Sequence, residues 1–127
     1  MANNSYTLDT NIVILHLKDE VGVVDFLNRC ADADAELDIS AITLAELLAF
    51  PALTSEAEQA IFTVTGGMTI VPVDETVAIE AGKLRRAYRL RLGDSIIAAT
   101  VRVTDSTLIT RDNHFDVLAS VLKLEKI

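Results

Sequence analysis

Four carboxylates stand at the ends of apolar segments in this chain: Asp9 in TLDTNIVIL, Glu46 in ITLAELLAF, Asp94 in LGDSIIAAT and Asp112 in LITRDNHF. Aspartate is disfavoured within strands and tolerated at helix starts. A chain that repeatedly closes apolar runs on an acid therefore suits a fold that gathers those ends along one edge of a sheet. Acids brought together in that way need cations.

A coarse reading finds strands alternating with helices. Residues 6–8 read as a short strand, 10–16 and 22–30 as helices, and 36–39 as a second strand. Ser40 caps an apolar helix over 41–50 that Pro51 ends, and a further helix over 55–65 is stopped by Gly66 and Gly67. Residues 68–73 return as a strand, and 74–89 form a helix with Val77, Ala81, Leu84 and Tyr88 on its buried stripe. Asp94 opens a helix over 95–103; a strand over 108–110, a helix over 113–121 and a last strand over 122–125 complete the series. Such alternation predicts an α/β fold with a mainly parallel sheet of about five strands and helices on both faces. Ligands in these folds sit at the carboxyl ends of the strands.

The 127 residues make one domain, 1–127, since a core of this size buries roughly two thirds of the surface that the unfolded chain exposes. No apolar run reaches the length of about 18 residues that a membrane span needs. The opening residues 1–5 are polar, which gives a cytoplasmic protein as the expectation. Cys30 is the one cysteine, so an internal disulfide is excluded, and its neighbours Asn28, Arg29 and Asp32 offer no zinc site. A formal charge of −8 argues against coating nucleic acid by counterion release alone. The positive charge is instead local: five of the eleven Lys and Arg residues fall in KLRRAYRLR, residues 83–91, directly before Asp94.

Each acid has a purely structural reading. Asp9 and Asp94 precede helices, where a carboxylate caps free amides and meets the positive end of the dipole, worth about 1 kcal/mol. Asp112, in the turn TRDN, can satisfy backbone donors before the next helix. Glu46 is the only charge in ISAITLAELLAF, flanked by Ile42, Ala45, Ala49 and Phe50, which places it on a buried helix. An unpaired carboxylate there would cost several kcal/mol, so a cation or a cleft is its expected setting. Phe26, Phe50, Phe62 and Phe115 read as core, and His16 and His114 carry no assigned role.

Taken together, LDTNIVI, ITLAELL, RLGDSIIAAT and LITRDNHF, in this order and spacing, resemble a PIN-domain nuclease. The short length, the AEL segment and YRLRLGDSIIAATVRVTDSTLITRD resemble a VapC-type toxin, the ribonuclease half of a toxin–antitoxin pair. The resemblance covers nearly the whole chain. It implies a PIN-like three-layer sandwich and an acidic pocket formed by Asp9, Glu46, Asp94 and Asp112, with Thr10, Asn11 and Thr110 in support. It also implies RNA as substrate, a small antitoxin protein as partner and a homodimer, with no membrane association. Tyr6 and Thr7, which make the first strand less aliphatic than usual, and His114 depart from the family pattern.

Two carboxylates about 4 Å apart repel by roughly 4 kcal/mol at an effective dielectric of 20. Hard oxygen ligands select Mg2+, with Mn2+ as substitute, over zinc. The expectation is a Mg2+-dependent endoribonuclease, with Arg85, Arg86 and Arg89 available to RNA phosphate or to acids of the antitoxin. A response-regulator receiver fits poorly, because position 46 is a helical Glu, and a haloacid-dehalogenase phosphatase fits poorly because Asn11 stands where it needs Asp. The remaining alternative is a catalytically inactive PIN-like interaction module.

Overall fold

The computed structural model describes residues 4–127; of the polar opening segment, residues 1–3 lie outside the described residues. Strand β1 (Ser5–Leu8) leads into α1 (Thr10–Leu17) and α2 (Val21–Asp32), followed by β2 (Glu36–Ser40), α3 (Ala41–Leu48), α4 (Ser55–Thr65) and β3 (Thr69–Val71). Helices α5 (Glu75–Tyr88) and α6 (Leu92–Thr104) then precede β4 (Thr107–Thr110), a 3-10 helix (Asn113–Leu118) and β5 (Lys123–Lys126). Helix starts follow from their caps. Asp9, Glu20, Ser40, Thr54 and Asp74 each turn a side-chain oxygen onto first-turn amides, satisfying donors that the helix itself leaves open.

All five strands are parallel, in the order β3-β2-β1-β4-β5. The chain thus begins in the middle of the sheet, builds outward to β3, and returns to place β4 on the other side of β1. The β1–β4 boundary is the point where strand order reverses, and the crevice beyond the carboxyl ends of those two strands is where open α/β sheets bind ligands. Asp9 follows β1 directly, and Asp112 follows β4 by one residue.

Two buried clusters cover the two faces. Leu8, Ile12, Val13, Phe26, Ile39, Leu47, Ile61 and Ile109 form one, and Val77, Leu84, Ile97, Val101, Leu108, Phe115 and Leu118 belong to the other. The adjacent residues Leu108 and Ile109 fall in different clusters because side chains alternate across a strand. The result is the expected three-layer sandwich. Cys30 is buried on α2, and among the described residues no helix is long and apolar enough to cross a membrane.

Several expectations are corrected. Helix α3 stops at Leu48 rather than at residue 50, since the residue before Pro51 is pushed out of helical geometry. Phe50 is 53% exposed and Phe62 46%, so neither is core; apolar character admits a residue to the interior without requiring it there. Ala45, Glu46 and Ala49 are also exposed, which removes the expected burial of the Glu46 carboxylate. Helix α6 begins at Leu92, so Asp94 lies in its first turn and does not cap it.

The segment after Asp112 is a 3-10 helix ending at Leu118 instead of a helix to residue 121. Only residues 111–122 connect β4 to its parallel neighbour β5, close to the shortest crossover such a pair allows. A 3-10 helix rises ~2.0 Å per residue against ~1.5 Å for an α-helix, so it covers the same distance with fewer residues.

Candidate active site

Asp9 is 4% exposed and serves two purposes at once. Its Oδ1 accepts the Ile12 amide at 2.9 Å, which starts α1, and its Oδ2 accepts the hydroxyl of Thr110, at the end of β4. The Asp9 amide donates to the Ile109 carbonyl at 3.2 Å, so backbone and side chain both tie β1 to β4. Burial pushes the Asp9 pKa above its ordinary value; the hydrogen bonds from Thr110 and Ile12 oppose the shift, and the charges of Asp112 and Asp94 add to it. Those two charges act on Asp9 because the fold brings them to its side.

Thr110, fully buried, also accepts the Asp112 amide at 2.9 Å. Asp112 in turn accepts the His114 amide at 2.9 Å and the His114 ring at 2.8 Å. Desolvation raises the Asp112 pKa, but the His114 amide and ring together with the charges of His114 and Arg91 outweigh it and leave it lowered. Asp94 is paired with Arg91, whose Nε lies 3.2 Å from Oδ2, while another Arg91 nitrogen reaches His114 Nδ1 at 3.3 Å. With Nδ1 donating to Asp112, His114 has no lone pair free there for Arg91, so the Asp112–His114 and Arg91–Asp94 pairs stand side by side without a hydrogen bond between them.

Glu46 enters from α3. Its Oε1 accepts the Thr10 hydroxyl at 2.5 Å, and Thr10 also shares a hydrogen bond with the buried Thr43 at 3.1 Å. Glu46 approaches α6 at Gly93: a Cβ built there would sit 3.1 Å from Oε2, closer than side chains ordinarily come. A side chain at position 93 would make the carboxylate give by a few tenths of an ångström.

These contacts place Asp9, Glu46, Asp94 and Asp112 around one cleft of about 150 Å³, with Thr10, Asn11, Arg91, Ile97 and Phe115 completing its wall. The acids converge on the pocket without closing on a point. Among the described residues no three His, Cys, Asp or Glu side chains stand close enough to hold a metal ion as they are placed. Each carboxylate is instead held by its own donor: Thr110 and Ile12 on Asp9, Thr10 on Glu46, Arg91 on Asp94 and His114 on Asp112.

Of the arginines expected to meet phosphate, Arg85 donates its Nε to the Leu90 carbonyl at 3.1 Å and so ties the turn between α5 and α6. Arg86 is exposed on α5 and lines neither cleft beside the acids. Arg89 closes α5 in left-handed geometry (φ 56°) and lines a second cleft beside the acidic one. Arg91, Gly93 and Thr43 are the site residues that sequence reasoning missed. Arg91 belonged to the basic run, but nothing in spacing distinguished it from its neighbours.

A family model described as PIN domain matches residues 6–121. Ribonuclease VapC10 of Mycobacterium tuberculosis is 32% identical over 108 residues, covering 81% of this chain and 79% of that protein. A toxin-antitoxin complex from Klebsiella pneumoniae contains a chain that superposes with a TM-score of 0.79 at 26% identity, covering 94% of this chain and 95% of that one. A chain of VapBC2 from Rickettsia felis, solved bound to a DNA fragment from its promoter, superposes with a TM-score of 0.84 at 21% identity over 97% and 98% of the two chains, a likeness of fold. By fold and by these matches, the chain belongs to the PIN-domain family, in its VapC branch.

Proposed function

We propose that this chain is a Mg2+-dependent endoribonuclease that hydrolyses RNA phosphodiester bonds as the toxin of a toxin–antitoxin pair. The observation that carries this reading is four acids, drawn from four separate parts of the chain, lining one pocket at the β1–β4 boundary. The names of the relatives, a ribonuclease and a toxin-antitoxin complex, point the same way.

The donor set suits a hard divalent cation. The titratable lining is four carboxylates and Arg91, which is paired with Asp94, and the buried Asp9 lies beside the charges of Asp94 and Asp112, a cost that a cation offsets. Asp9, Asp94 and Asp112 would hold the principal Mg2+, or Mn2+ in its place, while Glu46 would hold a second ion or orient the attacking water. When bound, the ion supplies positive charge against the phosphodiester and acidifies water.

The remaining work falls to side chains. Thr110 and Ile12 fix the Asp9 carboxylate, and Thr10 fixes Glu46, so both keep their orientation while substrate enters. In-line attack of water on phosphorus breaks the bond to the 3′-oxygen, which takes a proton, leaving a 3′-hydroxyl and a 5′-phosphate. No covalent protein intermediate is needed.

The partners follow from the same reading: RNA as substrate, a small antitoxin protein that covers the pocket, and a second copy of the chain. Apolar side chains left open at Phe50, Phe62, Ile79 and Leu92 provide surface for such contacts.

The test is cleavage of structured RNAs by the purified chain with Mg2+ or EDTA, alongside Asp9→Asn and Asp94→Asn. Cutting that requires Mg2+ and is lost in both variants is the expected result. Cutting that persists in EDTA and in both variants would remove the assigned site. Growth arrest on expression, relieved by a small neighbouring gene, is the expected cellular counterpart.

A further inference from the structure

A second cleft, of about 400 Å³, opens directly beside the acidic pocket and shares Arg91 and Asp94 with it; Tyr88, Arg89, Leu90, His114 and Val117 complete its lining. Size separates the two. About 150 Å³ accommodates ions and a phosphoryl group, whereas ligand-sized pockets run to roughly 300–1,000 Å³, the range in which the second cleft falls.

Its lining has the chemistry of a nucleotide. Tyr88 is anchored by packing against the core cluster of α5 and α6, so it offers a rigid aromatic face. Val117, 52% exposed on the 3-10 helix, adds an apolar surface open to solvent. Arg89 and Arg91 supply positive charge on a chain whose formal charge is −8, and local cations are what admit a phosphate to such a molecule. Asp94, the carboxylate of this cleft, belongs equally to the acidic pocket and is paired with Arg91.

We propose that this cleft seats the nucleoside next to the scissile phosphate of single-stranded RNA, with Tyr88 and Val117 against the base and Arg89 on the adjoining phosphate. The proposal rests on the nuclease reading above and adds where the substrate is gripped outside the acids. Single strands are favoured because a base must leave its stack to lie on an aromatic side chain, which paired RNA resists.

The experiment uses a labelled single-stranded oligoribonucleotide and the Asp9→Asn chain, in which cutting is expected to be lost, with affinity read by fluorescence anisotropy over a series of salt concentrations. Tyr88→Leu is expected to weaken binding roughly tenfold with the salt slope unchanged, and Tyr88→Phe to retain it, because the stacking face is kept. Val117→Asp is expected to weaken binding by a similar factor. Arg89→Gln should lower the slope of log affinity against log salt by about 0.7, one phosphate contact on a single strand.

Binding by Tyr88→Leu, Val117→Asp and Arg89→Gln within twofold of the parent overturns the cleft assignment, and if the wild-type chain still cuts RNA with Mg2+, the nuclease reading stands without it. A wild-type chain that neither binds nor cuts RNA removes both readings together.

Discussion

Thr110 donates its hydroxyl to the buried carboxylate of Asp9 across the boundary between β4 and β1. The same oxygen accepts the Asp112 amide, so one threonine holds two of the pocket's acids in register. Asp9 would otherwise be buried with a single amide for company, at the place in the sheet where strand order reverses.

Replacing Thr110 by valine keeps the shape and removes the hydroxyl. The Asp112 amide loses its acceptor and Asp9 loses a donor, so Thr110→Val is predicted to destabilise the fold by about 1–3 kcal/mol. Urea denaturation checks this value. RNA cleavage should fall by more than the stability loss accounts for, and wild-type activity in the variant would show that the threonine does not position the acids.

Gly93→Ala separates site geometry from stability. Alanine is favoured over glycine within a helix by up to about 1 kcal/mol, so α6 itself should be no weaker. The added Cβ would stand 3.1 Å from Glu46 Oε2, so the carboxylate must give by a few tenths of an ångström. Cleavage is predicted to drop several-fold at an unchanged or higher melting temperature, measured on the same preparation.

Asp38 is a titrating group outside the site. It is 3% exposed on β2, and its Oδ1 has no hydrogen-bond partner among the described residues. Burial first, then the charge and hydrogen bond of Glu36, push its pKa up to about 6 against the opposing Ser5 hydroxyl. The folded state therefore prefers the protonated form. The stability this contributes is complete below the ordinary value of 3.8 and is lost as pH rises through about 6. Asp38→Asn carries a neutral donor at every pH. It is predicted to be more stable than wild type above pH 6, by roughly 1–3 kcal/mol, and to converge with it near the ordinary carboxylate pKa. Parallel melting curves across that range would contradict the assignment.

Mg2+ should stabilise the wild-type fold, because a ligand held by the folded chain alone contributes RT ln(1 + [L]/Kd), about 2.7 kcal/mol at a hundredfold excess over Kd. Melting in Mg2+ and in EDTA reads the difference directly. Asp9→Asn is predicted to raise the melting temperature in EDTA, where it removes a buried charge, and to abolish the response to Mg2+. A response that survives in this variant places the ion elsewhere.

The element series was legible in the chain because apolar periodicity and capping residues mark helices and strands locally. Asp9, Ser40, Asp74 and the Pro51 stop all act within a few residues of themselves. The order of strands was not, since nothing local tells β4 to pair with β1. Phe50 and Phe62 were misplaced because composition cannot distinguish a core face from an exposed apolar one. The start of α6 was missed for a similar reason: Arg91 caps it with no side-chain hydrogen bond, so no familiar signal precedes Asp94. The four acids were found from their positions at segment ends. Of the donors that hold them, Ile12, Arg91 and His114 lie within three residues of the acid they serve, whereas the pairing of Thr10 with Glu46 and of Thr110 with Asp9 exists only in three dimensions.

Beginning the sheet at its centre has a consequence for synthesis. Asp9 leaves the ribosome well before the strand that flanks it, since Thr110 follows 101 residues later. A translation product cut short before Thr107 contains the opening acids but no neighbouring strand to seat them. Competence of the pocket is thereby reserved for a polypeptide that has been extended past Thr110.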